Sequence, residues 1–274
     1  MNALHPATTP VLAVACVLVR MALEQLGPAY GEAWQRGIEV ATGALTIGVF
    51  LQFSAGDPPR RPWSLLMITL VLFVVGRLAS WLGLMVGGIK LAHLVFIAVN
   101  LTIAASMIGF NRVLGSSELL SERTEADRWR ALAFLGLLAV AAVAALGWNT
   151  WEVAGRGRPE GAAAWVGAIL NIVSTLADVV VCAGGVYLVW LVRPLLGGSL
   201  ARPYLLLAVS AGAALVGDFL LVAAGASVQT ELTLANLSAH LVKWVGCLSY
   251  ALIGLAAATQ LWLLRSAGRR PRRA

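Results

Sequence analysis

Charged residues are scarce in this sequence, and their scarcity excludes most soluble folds. They make up 12% of the 274 residues, whereas hydrophobic residues make up 59% and the mean hydropathy is +0.84. A soluble domain carries about 25% charged residues. The sequence therefore predicts an integral membrane protein that has the lipid bilayer as its surroundings.

Cysteines and catalytic motifs are equally sparse. Cys16, Cys182 and Cys247 all lie within apolar runs, and this odd number predicts neither a disulfide framework nor a zinc site. The chain has no Gly-x-Ser-x-Gly, His-Glu-x-x-His or phosphate-loop pattern, which favours a non-enzymatic protein. The net charge of +7 comes from basic residues scattered between apolar runs, so we expect no nucleic-acid partner.

Eight stretches are apolar and long enough to span a bilayer, which takes about 20 residues. They lie at about residues 9–27, 37–55, 63–86, 90–111, 130–148, 164–192, 203–225 and 238–264. Gly87-Gly88 predicts a tight turn between the third and fourth spans. Polar residues between 116 and 128 separate the fourth span from the fifth.

A pattern in the first half of the chain recurs in the second half. Arg61-Pro62-Trp63 matches Arg202-Pro203-Tyr204 at a spacing of 141 residues, Gly76 matches Gly217 at the same spacing, and His93 matches His240 at 147. A weaker echo relates residues 48–51 to residues 185–188. These matches predict an all-α polytopic membrane protein whose eight transmembrane helices form two duplicated four-helix halves.

The repeat divides the chain into four parts. Residues 1–115 and 130–265 form the two helical halves, residues 116–129 a polar cytoplasmic loop, and residues 266–274 a basic cytoplasmic tail. We expect the tail to contact anionic lipid headgroups, at about 1 kcal/mol per basic residue. The loop could serve as the contact for a cytoplasmic protein partner.

The distribution of basic residues predicts the orientation in the cell inner membrane. With both termini in the cytoplasm, thirteen basic residues lie on the inner side and four on the outer side. This excess agrees with the positive-inside rule. Both Arg-Pro pairs then lie at cytoplasmic helix starts, where Trp63 and Tyr204 are predicted to act as interfacial anchors.

Charged residues deep within the spans are the candidate functional residues. Arg77 and Asp218 each follow their proline by fifteen residues, which is about 22 Å along a helix and about two thirds of a 30 Å core. We expect them to pair between the two halves, either as part of a solute site or only to fix the register of the helices. Asp178 and Lys243 complete the predicted substrate-binding set.

Two acidic residues near the ends of the first two spans have a simpler interpretation. Glu24 and Glu39 could reach water by snorkelling. Arg20 and Glu24, four residues apart, could satisfy each other on one helix.

The two matched histidines offer an alternative site. If His93 and His240 converge, they could ligate a metal ion or haem b. The stretch His240-x-x-x-Trp244-x-Gly246 places an aromatic ring one turn below the imidazole, and it resembles helices of CopD-like haem- or copper-associated membrane families. Gly217-Asp218 followed by His240 resembles lysoplasmalogenase-like membrane hydrolases.

The leading hypothesis is an inner-membrane protein that binds, senses or transports a small solute at an outward-facing polar site between the two halves. It needs no cofactor, and the solute is anionic or zwitterionic. A haem- or metal-binding subunit using His93 and His240 is the first alternative. A sensory or anchoring module for a cytoplasmic partner is the second.

The predicted charge pair can be tested by charge exchange. Arg77→Asp and Asp218→Arg should each lower the stability of the detergent-solubilised protein, because each leaves two like charges facing each other in a poorly hydrated region. The double exchange should recover much of the loss. Single changes that are neutral, or a double exchange that is merely additive, would show that the two residues do not pair.

Overall fold

A computed structural model of the chain describes residues 8–116, 161–196, 198–224 and 237–268, with single residues at 129, 133, 136, 140, 144 and 147. Seven α-helices occur in these ranges: α1 (Thr8–Leu26), α2 (Pro28–Gln52), α3 (Arg60–Trp81), α4 (Leu91–Gly115), α5 (Ala162–Val192), α6 (Arg202–Ala224) and α7 (Leu237–Gly268). Two short 3-10 helices, Arg193–Leu195 and Ser199–Ala201, lie between α5 and α6.

Six of the helical segments are long and apolar enough to cross a membrane, which agrees with the predicted all-α membrane architecture. They are Thr8–Leu26, Arg60–Trp81, Leu91–Gly115, Ala162–Leu195, Ser199–Gly217 and His240–Ser266.

Helix α2 is not among them, since its first half carries Glu32, Arg36 and Glu39. It also begins nine residues earlier than predicted, because Pro28 suits the first position of a helix. The predicted fifth span falls outside the continuously described ranges.

The predicted turn at Gly87-Gly88 is confirmed. Both glycines have positive φ, at +57° and +79°, as a two-residue type I′ hairpin turn requires. Met85 pairs with Lys90 and Val86 with Ile89, so the turn joins two antiparallel two-residue strands, β1 (Met85–Val86) and β2 (Ile89–Lys90). This small hairpin lies between α3 and α4 and was not predicted.

The chain divides into two compact units. Unit 1 contains residues 1–54 and 192–274, and unit 2 contains residues 55–191. In unit 1, helix α7 packs against α1, α2 and α6. Helix α1 runs antiparallel to α7, because Glu24 contacts His240 while the Cys247 thiol approaches the Cys16 carbonyl. Helix α2 runs parallel to α7, because Thr42 lies against Gly254 and Gly48 lies against Leu261.

Small and hydroxyl-bearing residues hold the helices of unit 1 close together. The Thr42 hydroxyl of α2 donates to the Tyr250 carbonyl of α7 at 3.0 Å, and Gly254 lies directly against Thr42. The hydroxyls of Ser210 and Ser249 join α6 to α7 at 3.0 Å. Such residues let helix backbones approach where lipid provides no hydrophobic driving force.

Unit 2 uses the same kind of contact between α3 and α4. Thr69 and Thr102 join the two helices through their hydroxyls at 2.9 Å, and the Ser106 hydroxyl donates to the Pro62 carbonyl at 2.8 Å. Trp63 is fully buried and meets Phe110 edge-on, with ring centroids 5.4 Å apart. The prediction that Trp63 is an interfacial anchor is therefore wrong, because its ring packs inside the protein.

The close contact between α2 and α7 predicts a position-dependent effect of alanine. In Gly254→Ala the new Cβ would lie 2.7 Å from the Thr42 hydroxyl oxygen, so the free energy of unfolding should fall by about 1–3 kcal/mol. Gly246→Ala, on the same helix, meets nothing within 4 Å, and it should be neutral or stabilising by about 0.5–1 kcal/mol. Thermal unfolding in detergent measures both, and equal effects would show that α2 and α7 are not in close contact.

Candidate functional site

The carboxylate of Glu24 is buried where the last turns of α1 meet the first turns of α7. Its side chain is only 8% exposed. Trp244 Nε1 donates to Oε2 at 2.8 Å, His240 Nδ1 lies 3.1 Å from Oε1, and Lys243 Nζ lies 3.7 Å from Oε1. The three partners are spaced i, i+3 and i+4, so they share one face of α7.

These three partners offset the cost of removing the Glu24 carboxylate from water. An ionised carboxylate only accepts hydrogen bonds, so Nδ1 of His240 carries the proton in that state. The Lys243 side chain is 30% exposed, so its ammonium group lies at the edge of the buried region. The His240 and Trp244 rings lie 6.0 Å apart at 42°, which confirms the expected proximity, although the rings are tilted rather than stacked.

Polar groups from α2 extend the buried site. Glu39 is buried and accepts a hydrogen bond from Gln35 Nε2 at 2.9 Å. Trp34 Nε1 donates to the Cys16 carbonyl at 2.9 Å and so ties α2 to α1. We call the region where α1, α2 and α7 meet the polar seam. Its ionisable groups come from all three helices, namely Arg20 and Glu24 of α1, Glu39 of α2, and His240 and Lys243 of α7.

The structure corrects three interpretations of the sequence. Snorkelling is wrong for Glu24 and Glu39, because both are buried. The predicted Arg20–Glu24 pair is also wrong, since Glu24 is bound by residues of α7 while Nε and Nη1 of Arg20 have no hydrogen-bond partner among the described residues. The sequence did contain an indication that Glu24 could meet α7, because the predicted topology places the end of the first span and the start of the last span at the same membrane face.

The other predicted site residues are distributed over both units. Arg77 is an exposed residue of α3 in unit 2, where its guanidinium lies 5.1 Å from the centre of the Phe73 ring. Asp178 on α5 and His93 on α4 are half-buried and also belong to unit 2. Asp218 lies on α6 in unit 1, and its side chain is outside the described residues.

Of the six predicted site residues, Lys243 and His240 are the two that the described contacts bring together, on either side of Glu24. Arg77 and Asp218 belong to different units, as do His93 and His240, so both pairings stay predictions. Residues 117–128 of the loop and 269–274 of the tail lie outside the described residues, and their expected partners also stay predictions.

No protein-family model, curated protein or solved structure matches the chain.

Replacing Glu24 should show how much the helix packing depends on its charge. Glu24→Gln keeps the shape but turns one acceptor into a donor, which faces either Trp244 Nε1 or both His240 Nδ1 and Lys243 Nζ. The free energy of unfolding should therefore fall by about 1–3 kcal/mol. Glu32→Gln is the matched control, because Glu32 is 55% exposed and pairs with Arg36 on the surface of α2. It should change stability by less than about 0.5 kcal/mol. Equal losses would show that the Glu24 contacts are energetically unimportant.

Proposed function

We propose that the protein is an inner-membrane protein that binds and carries a small charged solute, and that the polar seam of unit 1 forms part of its site. The observation that carries this proposal is the set of charged groups that α1, α2 and α7 bury together. Ionisable residues within membrane-spanning helices are expensive to bury, and they commonly mark ion or solute pathways. A purely structural ion pair needs two charges, whereas the seam also holds Arg20 and Glu39.

The charges of the seam favour an anionic or zwitterionic solute. With ionised carboxylates and a neutral His240, Arg20 and Lys243 balance Glu24 and Glu39. A zwitterion leaves that balance unchanged. An anion is favoured over a cation because the Glu24 and Glu39 carboxylates already accept hydrogen bonds, whereas Nε and Nη1 of Arg20 have no partner among the described residues. Within this proposal Lys243 keeps its predicted role, and Arg77, Asp178 and Asp218 are further substrate-binding residues.

The helix directions in unit 1 are compatible with the eight-span topology. The first and last helices, α1 and α7, run antiparallel, so they cross a membrane in opposite directions. Opposite directions require an even number of crossings. The six segments that are apolar enough to span give an even number. If α2 also spans, one further crossing is needed, and in our proposal the stretch predicted at about 130–148 supplies it. The excess of basic residues then assigns both termini to the cytoplasm.

Matched hydroxyl contacts support the duplicated halves. The Thr69–Thr102 contact joins α3 to α4, and the Ser210–Ser249 contact joins α6 to α7. Thr69 and Ser210 are 141 residues apart, and Thr102 and Ser249 are 147 apart, which are the spacings of the repeat. The weaker echo gains no such support, because Val49 is buried and its counterpart Val186 is exposed.

One observation favours the haem- or metal-binding alternative. His240 presents Nδ1 to the Glu24 carboxylate, while its Nε2 is buried without a partner among the described residues. A carboxylate in that position commonly orients a histidine whose other nitrogen binds a metal. No group of three or more His, Cys, Asp or Glu suited to a metal occurs in the described part of the chain. A Soret band or a stoichiometric metal in the purified protein would support this alternative.

Uptake by reconstituted vesicles tests the solute hypothesis. Wild-type protein in liposomes should show saturable uptake of at least one of three radiolabelled probes, namely acetate, phosphate and glycine. Glu24→Gln should reduce the uptake by about tenfold or more, which corresponds to the loss of about 1.4 kcal/mol of interaction. Glu32→Gln should retain it, because Glu32 lies on the exposed face of α2. Uptake no faster than in empty liposomes for all three probes would contradict the proposal.

A further inference from the structure

Arg20 is a buried guanidinium inside the first helix of unit 1. It lies in the second-last turn of α1, and the residue is only 2% exposed. Helix α1 packs against α2 and α7, so the side chain is enclosed by the polar seam rather than by solvent. Arg20 was not among the residues that the sequence predicted for the functional site.

The guanidinium lacks the partners that a buried arginine requires. Its Nε and Nη1 atoms have no hydrogen-bond partner, and no ion pair joins Arg20 to a carboxylate in the part of the chain that the structure describes. Glu24, one turn away, is bound by α7, and the Glu39 carboxylate accepts from Gln35. The negative charges of Glu24, Glu32 and Glu39 therefore act on Arg20 only at longer range.

An unpaired buried charge lowers stability, because desolvation is not offset by a partner. Ordered water can satisfy N–H groups, but it brings no opposite charge. An anion supplies both the acceptor atoms and the charge. The planar guanidinium suits oxyanions in particular, since its N–H groups lie in the plane of a carboxylate that approaches edge-on.

We propose that Arg20 binds the anionic group of a small monovalent solute, with a carboxylate as the preferred chemistry. The solute must be small because the site is almost closed to solvent. It must be monovalent because Glu24 and Glu39 repel a second negative charge. The inference rests on the proposed function in assigning this anion as the carried solute, whereas the anion site itself is tested by binding alone.

Thermal unfolding of detergent-purified protein tests the site. Sodium acetate, sodium chloride and sodium phosphate are titrated at constant ionic strength, made up with sodium gluconate, whose anion is too large for the site. Acetate should raise the Tm of the wild-type protein with saturation, because a ligand that binds only the folded state stabilises it. Chloride should act more weakly, and phosphate least, since part of it is divalent at neutral pH.

Two variants of Arg20 and one control separate binding from packing. Arg20→Met should lose the acetate effect, and without acetate it should be at least as stable as the wild type, because an unpaired charge has been removed. Arg20→Lys keeps the charge on a shorter group, so the apparent acetate affinity should fall by about tenfold. The control Arg36→Met should keep the full effect, since the Arg36 side chain is 72% exposed and pairs with Glu32.

The outcomes also separate this inference from the proposed function. The anion site is wrong if no anion stabilises the wild type with saturation, or if Arg20→Met and Arg20→Lys both respond to acetate as the wild type does. If Arg20→Met does not fold, the affinity shift in Arg20→Lys decides. Saturable uptake that depends on Glu24 but not on Arg20 refutes the assignment of the Arg20-bound anion as the carried solute, whereas the site itself is decided by the acetate titration. Arg20-dependent stabilisation without uptake of any probe supports the site and refutes transport.

Discussion

The interaction between Glu24 and the first turns of α7 constrains the rest of unit 1. A carboxylate this deeply buried between membrane-spanning helices needs donors, and Trp244, His240 and Lys243 provide three from one helix face. The contact is long-range, because Glu24 and His240 are 216 residues apart in the sequence. Together with the approach of the Cys247 thiol to the Cys16 carbonyl, it shows that α1 and α7 run antiparallel.

In each unit, small side chains and hydroxyls make close contacts between helices in addition to the buried apolar side chains. Gly254 admits Thr42 of the neighbouring helix, and Gly184 of α5 admits Met107 and Asn111 of α4. Apolar side chains gain little from leaving lipid for a protein interior, so close backbone approach and hydrogen bonds supply the packing energy. The many large apolar residues exposed on the helices agree with a lipid-facing surface.

In the polar seam, the buried carboxylates have hydrogen-bond donors, whereas the buried guanidinium lacks acceptors among the described residues. Glu24 has its donors, and Glu39 is hydrogen-bonded to Gln35, whereas Arg20 has two nitrogens without partners in the described residues. The proposed binding site rests on this asymmetry, since a fully compensated network offers a ligand nothing. The solute hypothesis and the anion site both follow from it, and each can fail without the other.

The sequence by itself determined the membrane class, six of the helices and most of their boundaries, because a continuous apolar run of fixed length follows directly from bilayer thickness. It also predicted the turn at Gly87-Gly88, where only glycine readily adopts the backbone angles. Only the tertiary structure decided which charges meet. Local spacing on one helix suggested that Arg20 binds Glu24, yet Glu24 is bound by residues more than 200 positions away, because a buried carboxylate takes whichever donors the helix packing presents.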